Sequence, residues 1–119
     1  MHDDLVLFHN PRCSKSRAAL ALIEARGLTP TILRYMDFPP SPAEIDALLD
    51  KLGLDDPRAL MRRGEARYAE LGLDRAEVTR EALVAAMAAE PRLIERPILV
   101  RGTRAVIGRP PEKVETLLD

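Results

Sequence analysis

The chain has 119 residues, 46% of them hydrophobic, and a formal net charge of −1. That is one domain's length, too apolar for a disordered chain, and too nearly neutral for a global field that draws DNA, RNA or an acidic membrane. A single cysteine, Cys13, excludes an internal disulfide.

The two Phe, two Tyr and no Trp leave the core to Leu, Ile, Val and Ala. The basic residues are mostly arginine, with only Lys15, Lys51 and Lys113 as lysines. Arginine grips flat or tetrahedral oxyanions at two points better than lysine does, although base composition explains a general excess. The start MHDDLVLF is acidic and its apolar run is short, so neither a signal peptide nor a membrane span is expected. A cytoplasmic location follows, where a lone thiol stays reduced.

In chain order, Leu5 to Phe8 reads as a buried strand that stops at Asn10-Pro11. SKSRAALALIEAR, 14 to 26, reads as a helix. Ala18, Leu22 and Ala25 mark its inner face, Ala19, Leu20 and Ile23 widen it, and Gly27 closes it. TILRYM, 31 to 36, predicts a second strand. Ser41-Pro42-Ala43-Glu44 has the pattern of a capping box and predicts a helix that stops at Gly53. PRALMRR and ARYAELG carry short helical patterns, and Thr79 can cap a helix that ends before Pro91. PILVR, 97 to 101, reads as a strand that turns through Gly102-Thr103 into RAVIG. A last helix, 111 to 118, faces Val114, Leu117 and Leu118 inward.

The opening strand–helix–strand implies a parallel pair, and the closing hairpin implies antiparallel strands. A mixed four-stranded α/β sheet satisfies both. Residues 1–119 then form a single domain, with a helical block at about 41–92 inserted between the halves of the sheet.

Cys13 sits where this reading starts a helix. Unpaired N–H groups and the helix dipole favour a thiolate there. The dipole contributes roughly 0.3–1 kcal/mol, while about 1.36 kcal/mol moves a pKa by one. A nucleophilic thiolate therefore needs more positive charge, and His9, Arg12, Lys15 and Arg17 are the neighbours in sequence. The opposing view, a small buried hydrophobe, fits poorly with the polar flanks NPR and SKS. A phosphatase loop needs Arg six residues after the Cys, where Ala19 stands, and a dithiol motif needs Cys where Ser16 stands. The remaining CxxS has the form of a monothiol site.

HNPRCSKSR after a first strand resembles the active-site loop of the glutaredoxin-dependent arsenate reductase family, and most of all its short bacterial branch. YMDFPPSPAEI, RALMRR, YAELGL, LIERPILV and IGRPPEKV continue the resemblance in order along nearly the whole chain. The resemblance implies a thioredoxin-like fold with a helical insertion. It implies Cys13 as the nucleophile and Arg62, Arg96 and Arg109 as oxyanion ligands. His9, Asn10, Ser16 and Arg17 would support the loop, and Pro97 would be the cis proline beside the thiol. It implies arsenate as substrate, glutathione as co-substrate, glutaredoxin as partner, and no bound metal or cofactor. Where the family's reductases commonly read Cys-Gly-Thr-Ser-Arg, Ser14-Lys15 replaces Gly-Thr here. Glycine lets backbone approach an anion closely; Ser14 does so at negative φ, and Lys15 adds charge.

Two other functions compete. A general glutathione-dependent monothiol oxidoreductase would need Cys13 but not Arg62 and Arg109 together. A regulator docking on RNA polymerase would carry a CxxC switch, which Ser16 removes. No large apolar stripe is left over, so a monomer is expected.

Overall fold

The computed structural model describes residues 5–118. They form two compact units: residues up to Phe38 together with those from Arg96 onward, and residues Pro39–Glu95.

The first unit holds the sheet. Its strands are β1 (Leu5–Phe8), β2 (Thr31–Leu33), β3 (Ile98–Arg101) and β4 (Arg104–Ile107), in the order β2-β1-β3-β4. β1 and β2 are parallel, with Phe8 opposite Leu33. β1–β3 and β3–β4 are antiparallel, with Leu7 opposite Leu99 and Ile98 opposite Ile107. This is the mixed, thioredoxin-like arrangement expected. Gly102 opens the β3–β4 turn at φ 61°, the positive angle that tight hairpin turns demand.

Helix α1 (Ser14–Ala25) and a 3-10 helix, Pro111–Leu117, pack on each other and on one sheet face. Leu7, Ala19, Ile23, Leu99, Val114, Leu117 and Leu118 make that core. The C-terminus of α1 closes as foreseen. Gly27, at φ 74°, donates to Glu24 O at 2.9 Å, and Leu28 N–H reaches back to Ile23 O at 3.4 Å. The inner face of α1 differs from expectation. Ser16, Ala19 and Ile23 are buried, while Ala18 and Ala25 are exposed. The run AALAL offers apolar residues on several faces, and the face packed inward is the one that carries Ser16, Ala19 and Ile23.

β2 ends three residues earlier than expected. Asp37 and Phe38 N–H both donate to Arg34 O, so the chain turns after Leu33. Tyr35 is buried, whereas Ile32, Met36 and Phe38 are exposed, Phe38 by 70%.

In the second unit, α2 (Pro42–Leu52) packs against α4 (Arg80–Ala89) through Ile45, Leu48 and Leu49 on one side and Leu83, Val84 and Met87 on the other. Between them lie a 3-10 turn, Pro57–Leu60, and the short α3 (Ala66–Glu70). The capping box is formed: Glu44 N–H donates to Ser41 Oγ at 3.2 Å, and Ser41 N–H donates to Glu44 Oε1 at 2.9 Å. Those bonds hold the Glu44 carboxyl below its ordinary pKa. Ser41→Ala is expected to cost about 1 kcal/mol, read from the urea midpoint. Because the Glu44 pKa is depressed, the contribution is present above the unfolded value and fades as pH falls through the folded one.

The run PRALMRR is not one helix. It breaks at Met61, which takes an extended conformation and bridges Ile94. Arg62 N–H donates to Leu93 O at 2.8 Å, and Glu95 N–H to Leu60 O at 2.7 Å. Met61 and Ile94 are both buried, and this non-local pairing overrides the local helical pattern. Among the described residues no helix is long and apolar enough to cross a membrane.

Candidate active site

The 9–13 loop leaves the end of β1 and delivers Cys13 to the N-cap of α1. The loop is held from inside. His9 N–H donates to Leu33 O at 2.9 Å, tying it to the end of β2. Asn10 Oδ1 accepts from Arg12 N–H at 3.0 Å, and Asn10 O accepts from Cys13 N–H at 2.9 Å. These bonds form a tight turn of the kind Asn favours. Arg17 Nη1 donates to Pro11 O at 2.9 Å, clamping the helix to the loop. The fully buried Ser16 accepts from Asn10 N–H at 3.4 Å.

Cys13 is partly exposed and has an extended backbone, φ −94° and ψ 124°. Partial burial works against its thiolate. The backbone N–H groups of Ser16 and Lys15 oppose that, then the Arg96 charge, then the Ser16 hydroxyl, and together they hold the pKa below the ordinary thiol value. The sulfur makes no cap hydrogen bond of ordinary geometry, yet the Ser16 and Lys15 amides still favour its anion. Every described non-glycine residue has negative φ, so Ser14 leaves the N–H groups of the first turn facing as a glycine would.

Arg96 supplies the charge, and its source differs from expectation. In sequence, His9 stands among the residues near Cys13 that can carry positive charge. It is buried and flanked by Arg34 and Arg17; burial first, then those charges, push its pKa down. His9 is therefore neutral at pH 7 and adds no charge to the site.

Arg96 precedes Pro97 at the start of β3, and the bond between them is cis. Its Nε and Nη1 are buried and have no hydrogen-bond partner among the described residues. Two buried guanidinium donors without an acceptor are costly. They leave the guanidinium with charged donors that an oxyanion can satisfy. Arg109 Nη1 donates to Arg96 O at 3.1 Å, so the two arginines share one corner of the unit. The Arg109–Pro110 bond is also cis, which nothing in the sequence indicated.

Gly108 lets that corner close. Its N–H donates to Pro97 O at 2.9 Å, and a Cβ there would lie 2.9 Å from Pro97 Cγ and 3.0 Å from Val114 Cγ1. Gly108→Ala is expected to cost about 1–3 kcal/mol of stability, the usual penalty for overpacking. It should also lower activity by shifting Pro97 and Arg109, and urea titration beside a rate measurement separates the two effects.

The first unit thus brings together Cys13, His9, Asn10, Ser16, Arg17, Arg96, Pro97 and Arg109. Arg62 belongs to the second unit, where it pairs with Glu65 at 3.3 Å. Arg34 is not legible as a site residue in the sequence, where its pattern is that of a strand; in the structure it follows β2 and its charge lowers the His9 pKa.

The model of the ArsC family matches residues 8–117 of the chain. The arsenate reductase of Neisseria meningitidis serogroup A is 45% identical over 115 residues, covering 97% of this chain and 98% of that protein. The arsenate reductase of Haemophilus influenzae is 42% identical over 114 residues, covering 96% and 98%. Among solved structures, an arsenate reductase from Vibrio cholerae superposes with a TM-score of 0.96 at 46% identity, covering 99% of this chain and all of that one.

Proposed function

The chain belongs to the ArsC family, and from that premise we propose that it reduces arsenate to arsenite through Cys13, with glutathione and glutaredoxin as the source of electrons. The observation that carries this reading is the pair of unpartnered, buried guanidinium donors of Arg96, whose charge helps lower the Cys13 pKa.

The Cys13 sulfur attacks arsenic and expels one oxygen as water, forming a sulfur–arsenic(V) bond. The glutathione thiol displaces a second oxygen as water. A glutaredoxin thiol then attacks the glutathione sulfur. The electron pair of that sulfur–arsenic bond stays on arsenic, which becomes arsenic(III), and a mixed disulfide leaves. Water releases arsenite and returns the Cys13 thiol. In sum, two thiols become one disulfide, arsenic gains two electrons, and one net water forms.

Arg96 neutralises and orients the oxyanion and stabilises charge that develops on its oxygens. Arg109, hydrogen-bonded to the Arg96 backbone, and Arg62 are assigned the remaining oxyanion contacts. Ser16 and the first-turn amides lower the thiol pKa and so favour the thiolate, the nucleophilic form.

The test is arsenate-dependent NADPH oxidation in a mixture of glutathione, glutaredoxin and glutathione reductase. Turnover is expected. Arg62→Ala and Arg109→Ala should each remove it while leaving thiol–disulfide exchange at Cys13 intact. Loss of neither would favour a general glutathione-dependent oxidoreductase.

A further inference from the structure

We propose that the cleft beside the Cys13 loop is the docking site for the small thiol, a peptide with two carboxylates and one ammonium group, the chemistry of glutathione. This rests on the reductase reading above and names where its co-substrate sits.

The cleft has a volume of 390 Å³ and lies in the first unit, between the 9–12 loop after β1 and the 34–37 turn after β2. That volume is within the roughly 300–1,000 Å³ usual for small-molecule sites. The ends of parallel strands are where open α/β sheets place ligands. Arg12, on its wall, is the residue before Cys13.

Its lining has mixed polarity of a specific kind. Arg12 and Arg34 give two guanidinium groups, Asp37 one carboxylate, and Pro11 and Met36 apolar surface. Two cations and one anion complement a zwitterion with two carboxylates and an ammonium. A bare tetrahedral oxyanion has no use for Asp37 or Met36 and would leave most of the volume unfilled. The Arg34–Asp37 ion pair, at 3.3 Å, is more than half exposed on both sides. Such a pair is weak and re-partners at little cost.

The second observation is His9. It lines the cleft, is only 6% exposed, and its Nδ1 has no hydrogen-bond partner among the described residues. A buried polar atom without a partner is uncommon. A peptide group offers both a donor and an acceptor, so a bound tripeptide satisfies Nδ1 whichever nitrogen carries the proton.

The probe is S-methylglutathione, whose blocked sulfur cannot exchange or reduce. Titrated into the ¹⁵N-labelled full chain, it should move amide resonances of the 9–12 loop and the 34–37 turn. Arg34→Glu, a change at an exposed side chain, should weaken that binding by about tenfold or more. In the coupled assay the same variant should raise the KM for glutathione more than the KM for arsenate. Shifts centred elsewhere, no shift at about 10 mM, or an Arg34→Glu variant that binds as before each overturn the proposal. Shifts at these residues with glutaredoxin but none with S-methylglutathione overturn it in favour of a protein-docking surface. Arsenate protection of Cys13 from alkylation, measured without any thiol, separates the two levels. Protection without binding in the cleft removes only this inference, whereas no protection and no turnover remove the reductase reading.

Discussion

Replacing Cys13 by serine should lower arsenate turnover by at least about 10³-fold, because a serine hydroxyl is a far weaker acid and a far weaker nucleophile than a thiol. The fold should survive. Cys13 is the N-cap of α1 and makes no side-chain cap bond. Serine is among the better residues at that position, so the urea midpoint should hold or rise slightly. The pairing of lost chemistry with retained stability is the informative result. It is read from the coupled rate and a urea titration on the same preparation. Turnover that persists in Cys13→Ser would place the reagent elsewhere, and the chain has no second thiol to take the role.

Arg96→Ala should be the next most damaging change, and for a different reason. Removing one group that stabilises developing oxyanion charge usually costs about 10²–10³ in rate. The thiol pKa should rise as well, because the Arg96 charge is one of the influences that lower it. The pH at which Cys13 becomes reactive to iodoacetamide should therefore move upward. Stability should not fall. Nε and Nη1 of Arg96 are buried and have no partner among the described residues, so alanine removes a cost instead of an interaction. Arg109 Nη1 bonds the backbone oxygen of residue 96, which alanine keeps. Arg96→Lys is the control. It restores the charge, and with it much of the thiol pKa, but not the two-point grip, so turnover should recover only in part. A stability loss of several kcal/mol in Arg96→Ala would mark the arginine as structural.

The elements that position Cys13 were legible because local signals and global packing agree there. A strand halted by Asn10-Pro11, a cysteine at a helix start, and Gly27 at its end need no distant partner to be understood. The capping box at Ser41 and the turn at Gly102 are equally local. The misread places are those where a distant contact decides. Met61 left its helical pattern to bridge Ile94, some thirty residues away. The turn after Leu33 looked like strand because TILRYM is β-branched and alternating, but Tyr35 is buried and Met36 is not. That turn carries Arg34, so the cleft it lines was invisible in the sequence. The arginines were legible only through resemblance. Nothing local distinguishes Arg96 from the exposed Arg92 until burial leaves two of its donors unpartnered.

The site's chemistry also depends on a balance that no motif states. A helix terminus alone moves a thiol too little. Here the first-turn amides and Arg96 outweigh the cost of burial, while burial first, and then the charges of Arg34 and Arg17, lower the His9 pKa. A neutral imidazole next to the loop leaves Arg96 as the charge that responds to an oxyanion. Binding an anion there should therefore raise the thiol pKa at the moment of attack, by cancelling that charge.

The most direct measurement is the rate of Cys13 alkylation by iodoacetamide against pH, with and without arsenate and with no other thiol present. The account predicts a single titration below the ordinary thiol range, and slower alkylation when arsenate occupies the Arg96 donors and the sulfur is engaged. A thiol that titrates as an ordinary cysteine, alkylated at the same rate whether or not arsenate is present, would contradict it.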